Sequence, residues 1–513
     1  YASWDAVQPV SAEEARRRGR FAQWVDYRVF MEDTFVGAFL AVKEAVRAEF
    51  PDARWSFTNP FGLNPFSGSD HYKLALAEDV FLKYVRPDLV KEYRSFKPGA
   101  PMISFFGYTD DVPACRYFPW WFAFHGGDVC VWWDAVRRDK YSLFDDWGRH
   151  TPRSLAVLES GADLLAGAGN ILHDCPAAPT PVAMLHSHAS MHVAWIESDM
   201  RLGVTPWSEG ESAGPIPPPN LFQFHELSVR HLKAMVKETA QQPEMIVPDQ
   251  ILAGCLDGGR FRLLILPCAT ALSDEAIERM AGFVRDGGVL LADARAGLYS
   301  GNGRRLETRP ALEALFGFRR AGSGPVSNAA APASWSGPFS ALQGLACVAD
   351  GFGREDLDPT TATPCARHVD GAPAVLVNAV GHGQAVYLNF VPGRGPLYNG
   401  LMQAVLDLAG IEPPVRLTAG GRPPFGYECF PFRRGPMEYL GLLRDLEPVA
   451  PGEPYRWFRA EFRNAAPGAE TLDVRLPAAR HVYDVRKGRY LGFREVFRTA
   501  MPPGEAALFG LLP

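Results

Sequence analysis

Residues 261–294, FRLLILPCATALSDEAIERMAGFVRDGGVLLADA, decide the fold of the central part of this chain. An apolar run of strand length comes first, and Ser273 then provides the N-cap of an amphipathic helix. Gly287 and Gly288 end that helix, and a second apolar strand follows them. Strand, helix and strand in this order are typical of a doubly wound α/β domain, so we predict parallel strands covered by helices.

The same pattern continues on both sides of this stretch. A strand with the sequence VAMLHSH opens the unit near Ala178, and a helix follows near Leu227 to Glu238. Residues 372–390, APAVLVNAVGHGQAVYLNF, predict two strands around a glycine turn, with a helix at 401–408 after them. Residues 321–345 are rich in Gly, Ala, Ser and Pro, which predicts a loop or an insertion. The α/β domain is therefore placed at residues 178–414.

The N-terminal part, residues 1–165, also alternates helical and extended segments. Apolar spacing predicts one long amphipathic helix over about 18–50, and a short strand at 53–58 follows it. Two further strands are predicted in PMISFFGY at 101–108 and DVCVWW at 128–133. This alternation indicates a parallel sheet of about four strand-helix units, which is half of a barrel and cannot close its own edges.

From about Val415 the pattern changes to short alternating strands separated by Gly and Pro. Examples are YECFPFRRGPMEYLGLLRD and HVYDVRKGRYLGF. Residues 415–513 therefore predict a small antiparallel β-sandwich.

Composition limits the class of partner. The net charge of −6 supplies no basic surface for nucleic acid, and no apolar run approaches the roughly 18 residues that cross a membrane. The 12 Trp and 33 Phe are concentrated near both ends of the chain, where their faces suit sugar rings but equally fill cores. The eight cysteines show no spacing typical of a disulfide framework or a zinc site.

Several strings resemble the family 42 glycoside hydrolases, which include many β-galactosidases. LLILPCATALSDEAIERMAGFVRDGGVLLADA and GHGQAVYLNF resemble that family's trimerisation domain, and MEYLGLLRD, HVYDVRKGRYLG and PPGEAALFGLLP resemble its C-terminal β-sandwich. Residues 1–165 look like the second half of the family's (β/α)8 TIM barrel. The resemblance implies a flavodoxin-like or amidotransferase-like middle domain, a homotrimer formed through it and a carbohydrate substrate. It implies neither a cofactor nor a metal.

The resemblance also locates the catalytic positions. Family enzymes retain anomeric configuration with an acid/base Glu after barrel strand 4 and a nucleophilic Glu ending strand 7. Strand 7 corresponds to residues 101–108, where Phe105 and Phe106 stand in place of a Glu, and strand 4 would precede Tyr1. Residue 1 is not Met and no signal-peptide pattern follows it. We therefore expect an inactive fragment with a missing N-terminus, and a cytoplasmic location unless a targeting segment precedes Tyr1.

Asp111 and Asp110 are the candidate catalytic residues, because they are the nearest carboxylates after strand 7. Retention requires two carboxyl groups only about 5 Å apart. Asp111 is preferred, since Val112 and Pro113 stiffen its side of the loop. The alternative is a solvated turn in which these carboxylates cap backbone N–H groups.

Three further residues are candidates for substrate binding. Trp133 could form the floor of a sugar subsite and Asp134 could bind hydroxyl groups, although the Trp could equally be part of the core. Asn59 could bind a hydroxyl at the barrel mouth, although Asn-Pro is first of all a turn signal.

Four residues suggest other chemistry and are interpreted as structural. His186, His188 and His192 invite a metal assignment, but the sequence identifies no further ligand, so they are predicted to be structural or solvated. Cys268 lacks the flanking glycines of a nucleophile elbow, and no His–Glu pair can be assigned to it.

The leading hypothesis is therefore a glycoside hydrolase-like protein acting on a β-linked sugar. The alternative is a non-catalytic homologue that binds carbohydrate or serves assembly.

Overall fold

The structure is a computed structural model of the chain. It describes residues 8–58, 65–66, 68–84, 87–106, 112–132, 135–136, 142–173, 175, 178–198, 221–321, 332–347, 353–444, 468–502 and 504–513.

The N-terminal part is a three-stranded parallel sheet with helices, in the order β1-β2-β3. Its strands are β1 (Phe81–Tyr84), β2 (Met102–Phe106) and β3 (Val129–Trp132). Its helices are α1 (Ala12–Arg18), α2 (Phe21–Glu49), α3 (His71–Ala77), α4 (Pro87–Phe96), α5 (Val112–Phe124), α6 (Pro152–Asp163) and α7 (Gly169–His173).

The long helix predicted over about 18–50 is confirmed as α2. The strand predicted at 53–58 is wrong, because these residues pair with no strand among the described residues. They run beside the start of β1 and are held by isolated hydrogen bonds instead of a β-ladder. The Trp55 carbonyl accepts from the Asp79 N–H at 2.8 Å, and the Ser56 hydroxyl accepts from the Leu82 N–H at 3.1 Å.

Helices α6 and α7 are joined by a short π-helix, Leu164–Ala168. The stretch Pro152–His173 is long and apolar enough to cross a membrane by length and composition alone, which is weak evidence. Gly167, at a φ of 142°, interrupts its helical backbone.

The middle part is built on an eight-stranded sheet in the order β5-β4-β6-β7-β13-β12-β11-β9. The first five strands in this order are parallel and the last three are antiparallel. The strands of this part are β4 (Val182–Leu185), β5 (Glu244–Ile246), β6 (Leu263–Leu266), β7 (Val289–Ala292), β8 (Phe318–Arg320), β9 (Ser334–Trp335), β10 (Leu357–Pro359), β11 (Thr363–Arg367), β12 (Pro373–Val380) and β13 (Gly383–Leu388). Its helices are α8 (His188–Glu197), α9 (Leu221–Glu238), α10 (Pro248–Leu252), α11 (Asp274–Arg285), α12 (Pro310–Phe316) and α13 (Pro396–Leu408).

The turn between β12 and β13 presses against the end of α11. Gly381 has a φ of 61°, and a Cβ placed on it would lie 2.6 Å from the Arg285 carbonyl oxygen. A Cβ on Gly383 would overlap the carbonyl oxygens of Val284 and Gly288. This approach of one backbone to another explains why the sequence carries GHG at the turn.

The C-terminal part is one curled antiparallel sheet, in the order β14-β17-β19-β16-β15 with β18 paired to β17. Its strands are β14 (Arg416–Thr418), β15 (Tyr427–Arg434), β16 (Met437–Arg444), β17 (Glu470–Asp484), β18 (Arg489–Met501) and β19 (Ala506–Leu512). The predicted strands are present, but the described residues form one sheet where a sandwich has two. The lengths of β17 and β18, 15 and 13 residues, and the register shift between Arg475 and Arg480 let this single sheet curl over its own core.

One hydrophobic core runs through all three parts. Phe124 of α5 stacks on Phe430 of β15 at 5.1 Å between ring centroids, and the guanidinium of Arg486 lies 4.6 Å from the ring centroid of Trp120. The same core contains residues of β4, β6 and β13. The N-terminal part is therefore packed against both of the others.

Candidate functional site

The five predicted site residues cannot be located. Asn59, Asp110, Asp111, Trp133 and Asp134 all lie outside the described residues. Their assignment therefore stays a prediction, and the described strand ends beside them give the nearest structural information.

The carboxyl end of β2 is aromatic. Phe106, its last residue, is buried, stacks on Trp132 at 5.4 Å and contacts Phe118 and Phe122 of α5 at 5.7 Å each. Phe105 faces the opposite side of the sheet and is partly exposed. The described end of β2 thus offers aromatic faces and no carboxylate.

The described residues cover that opposite face of the three-stranded sheet only in part. It carries Leu82, Ile103, Phe105 and Val131, which are half-buried, and Val129, which is 47% exposed. The other face is covered by helices. The described part of this open face is therefore apolar.

The helix-covered face holds a buried ion pair. Lys83 Nζ lies 2.7 Å from both carboxylate oxygens of Glu78 and 2.7 Å from the Phe57 carbonyl oxygen, and it sits 4.5 Å from the ring centroid of Tyr93. Burial lowers the pKa of Lys83 to about 8, while Glu78 opposes that shift. Because both groups face α4 and not the open face, we assign them a structural role.

A cluster of histidines and carboxylates lies at the carboxyl end of β4. His186 follows this strand directly, and His188 and His192 lie one turn apart on α8. The ring centroids of His186 and His188 are 5.1 Å apart, and those of His188 and His192 are 6.0 Å apart. Of the two predicted alternatives, structural or solvated, the structure excludes the solvated one, because His186 and His192 are buried and the side chain of His188 is only 12% exposed.

The partners of these histidines come from the N-terminal part. Glu32 Oε1, on α2, lies 2.9 Å from His192 Nε2 and 3.4 Å from His188 Nδ1. Glu92 of α4 lies 3.6 Å from His186 Nδ1. Burial alone would raise the pKa of Glu32, but His188 and His192 hold it well below its usual range. Burial alone would lower the pKa of His188, yet the surrounding carboxylates, Asp70 foremost, raise it to about 9.

Sequence reasoning found the histidines of this cluster and missed its carboxylates. The spacing of His188 and His192 was a usable signal, because residues four apart share one helix face. Glu32 and Glu92 gave no such signal, since they belong to helices far away in the sequence.

Cys268, at the end of β6, has a φ of 37° and is buried. Burial, and then the nearby Asp293, raise the pKa of its thiol, which stays protonated. Burial also lowers the pKa of the neighbouring His225 to about 4. Because a nucleophilic cysteine needs the thiolate, this arrangement supports the structural interpretation.

Asp293, at the end of β7, is fully buried beside Cys268. One carboxylate oxygen accepts from the Cys268 N–H at 2.6 Å, and the other is hydrogen-bonded to the Ser228 hydroxyl. Burial raises the pKa of Asp293 to about 7.

Comparison with known proteins identifies the middle part. Residues 249–412 match the family model of the β-galactosidase trimerisation domain. A search of curated protein sequences finds no match.

Solved structures match nearly the whole chain in fold. A family 42 β-galactosidase from G. stearothermophilus matches with a TM-score of 0.69 at 16% identity, over 100% of this chain and 71% of its own. The β-galactosidase from Rahnella sp. R3 matches with a TM-score of 0.69 at 18% identity, over 99% and 71%. The α-L-fucosidase isoenzyme 2 from Paenibacillus thiaminolyticus matches with a TM-score of 0.53 at 13% identity, over 86% and 66%. The predicted resemblance to family 42 is confirmed, and at these identities the structural likeness establishes the fold alone.

Proposed function

We propose that this chain is glycoside hydrolase-like, that its sugar site lies where β1, β2 and β3 end, and that the full-length protein hydrolyses a β-linked sugar with retention. The observation that carries the proposal is the likeness in fold to β-galactosidases over nearly the whole chain. In this proposal β1 to β3 are the last three strands of a (β/α)8 barrel, in agreement with their parallel order and their apolar inner face.

The finer description of the middle part is also a proposal. Its five parallel strands follow the order second, first, third, fourth and fifth along the chain, which is the flavodoxin-like order. Nothing in this arrangement identifies the sugar, and the fold is shared with a fucosidase. The β linkage is therefore proposed from the likeness to the β-galactosidases alone.

The proposal predicts that Asp111 is the nucleophile and is required for turnover. In the full-length protein, Asp111→Asn should lower hydrolysis of an aryl β-galactoside at least about 100-fold, whereas Asp110→Asn should have a small effect. Azide should restore turnover to Asp111→Ala, because a small anion can replace a missing nucleophile. Equal rates in the parent and both Asn variants would contradict the assignment of the nucleophile.

A second candidate function is supported by one observation, the aromatic end of β2. A protein with the half-buried Phe105, and no carboxylate, at the described end of this strand would bind carbohydrate, or serve assembly, without cleaving it. This candidate predicts quenching of tryptophan fluorescence by lactose with no release of galactose. Absence of turnover in the parent chain together with saturable quenching would favour it over hydrolysis.

The middle part is expected to mediate assembly of the protein into homo-oligomers. Its match to a trimerisation domain indicates homo-oligomers, and we propose trimers. Light scattering on the full chain at tens of micromolar, a rough choice well above the dissociation constants of stable oligomers, should give about three times the chain mass. A monomer that persists throughout a dilution series would contradict this prediction.

A further inference from the structure

We propose that Glu32, His188 and His192 bind one Zn²⁺ ion, which joins α2 of the N-terminal part to α8 of the middle part. His188 and His192 are four residues apart on α8, the spacing that puts two imidazoles on one face of a helix in known zinc sites. Glu32 reaches the same point from α2. Two imidazoles and one carboxylate form a ligand set that zinc accepts.

The distances fit a tetrahedral ion. Zinc bonds of about 2.0 to 2.1 Å at tetrahedral angles place neighbouring ligand atoms roughly 3.3 Å apart. His192 Nε2 and His188 Nδ1 lie 2.9 and 3.4 Å from Glu32 Oε1. The three residues can each offer a ligand atom within 4.8 Å of the other two. Only small side-chain movements are therefore needed to close around an ion.

The hydrogen bonding of this triad is incomplete. Glu32 and His192 are buried, with exposed fractions of 1% and 0%. Glu32 Oε2 and His188 Nε2 nevertheless have no hydrogen-bond partner among the described residues. Burying an ionised carboxylate with one oxygen unpaired is costly, and a divalent cation held on the other oxygen, Oε1, offsets the buried charge. The side chain of His188 is 12% exposed, which leaves an open side where water could complete the coordination.

A neighbouring triad provides the contrast. His71, Glu92 and His186 have similar burial, and His71 Nδ1 lies 2.9 Å from Glu92 Oε2. Here Glu92 Oε1 and His186 Nε2 also lack a hydrogen-bond partner among the described residues, but Lys233 Nζ lies 3.8 Å from Glu92 Oε1 and already supplies a positive charge. A divalent ion beside this ammonium would be repelled. We therefore assign zinc to the triad of Glu32 and not to that of Glu92.

The test is zinc stoichiometry in the full chain. Purified protein is stripped with a chelator, loaded with ZnCl2, desalted and analysed by inductively coupled plasma mass spectrometry. The parent should hold about one zinc per chain, and Glu32→Gln and His192→Gln should each bind zinc at least about 100-fold more weakly, more than loss of a supporting residue costs. His71→Gln, an equally buried change in the neighbouring triad, should keep about one zinc.

A second measurement uses the parent alone, so it tests the proposal even if the variants fail to fold. CoCl2 added to the stripped parent should produce the visible absorption bands of tetrahedral Co²⁺, and ZnCl2 should abolish them. The proposal is overturned by a parent that retains no zinc and shows no cobalt bands. It is equally overturned if His71→Gln removes the ion while Glu32→Gln and His192→Gln keep it.

Discussion

Asp293→Asn should stabilise the protein at pH 8 by up to about 4 kcal/mol and leave its stability near pH 4 almost unchanged. The folded protein holds this carboxyl group in full burial, where its pKa rises from 3.8 to about 7. The ionised form is therefore disfavoured in the folded state and not in the unfolded state.

The sign follows from proton binding. Between pH 3.8 and 7 the folded state keeps a proton on Asp293 that the unfolded state has lost, so stability falls as pH rises through this window. Asn copies the hydrogen bonds of the protonated acid. Its oxygen can accept from the Cys268 N–H, and its amide can donate to the Ser228 hydroxyl.

The measurement is urea unfolding followed by tryptophan fluorescence at several pH values, for parent and variant. The difference in unfolding free energy should grow across the window from pH 4 to 7 and then level off. Asp286→Asn, an exposed substitution at the end of α11, is the matched control and should give a constant difference. An Asp293→Asn curve parallel to that of the parent would show that the carboxyl group does not titrate in this way.

Gly383→Ala should destabilise the protein by about 3 kcal/mol or more and reduce the yield of soluble protein. The new methyl group would overlap the carbonyl oxygens of Gly288 and Val284 and lie 3.0 Å from the Gly287 carbonyl carbon. Backbone atoms at the end of a packed helix cannot turn away as a side chain can. Either the turn between β12 and β13 or the end of α11 must therefore move.

Gly161→Ala is the control for this change. Gly161 lies inside α6, and a Cβ there would meet nothing within 4 Å. The control should gain roughly 0.5 to 1 kcal/mol, because Ala favours helix more than Gly does. Thermal unfolding of both variants beside the parent checks the pair. Gly383→Ala unfolding at the parental temperature would contradict the close approach of the two backbones.

The sequence predicted best the elements whose pattern is local. The strand-helix-strand order of residues 261–294 is confirmed as β6, α11 and β7, because apolar periodicity and a serine cap specify each element. Residues 53–58 looked like a strand because apolar and polar residues alternate in them and they follow a helix end. Whether such a segment joins a ladder depends on its neighbour, and here Ser56 and Asp79 bind it through side chains.

The histidine cluster shows the limit of local patterns more clearly. The sequence places His188 and His192 on one helix face, but their partner Glu32 precedes them by about 160 positions. Only the packing of α2 on α8 brings the carboxylate to the imidazoles. A contact between residues so far apart leaves no periodic pattern in the sequence. The sequence could therefore suggest the two histidine ligands but not the glutamate.

The stacking of Phe124 on Phe430 has a consequence for synthesis on the ribosome. The two rings are separated by about 300 residues, so Phe124 waits roughly 15 to 60 s for its partner at about 5 to 20 residues per second. Throughout that interval the aromatic face of α5 lacks its cover, and it is exposed to chaperones and to other nascent chains. Slower translation of the last hundred codons should therefore increase misfolding of the first hundred and fifty residues, although none of the affected residues has been changed.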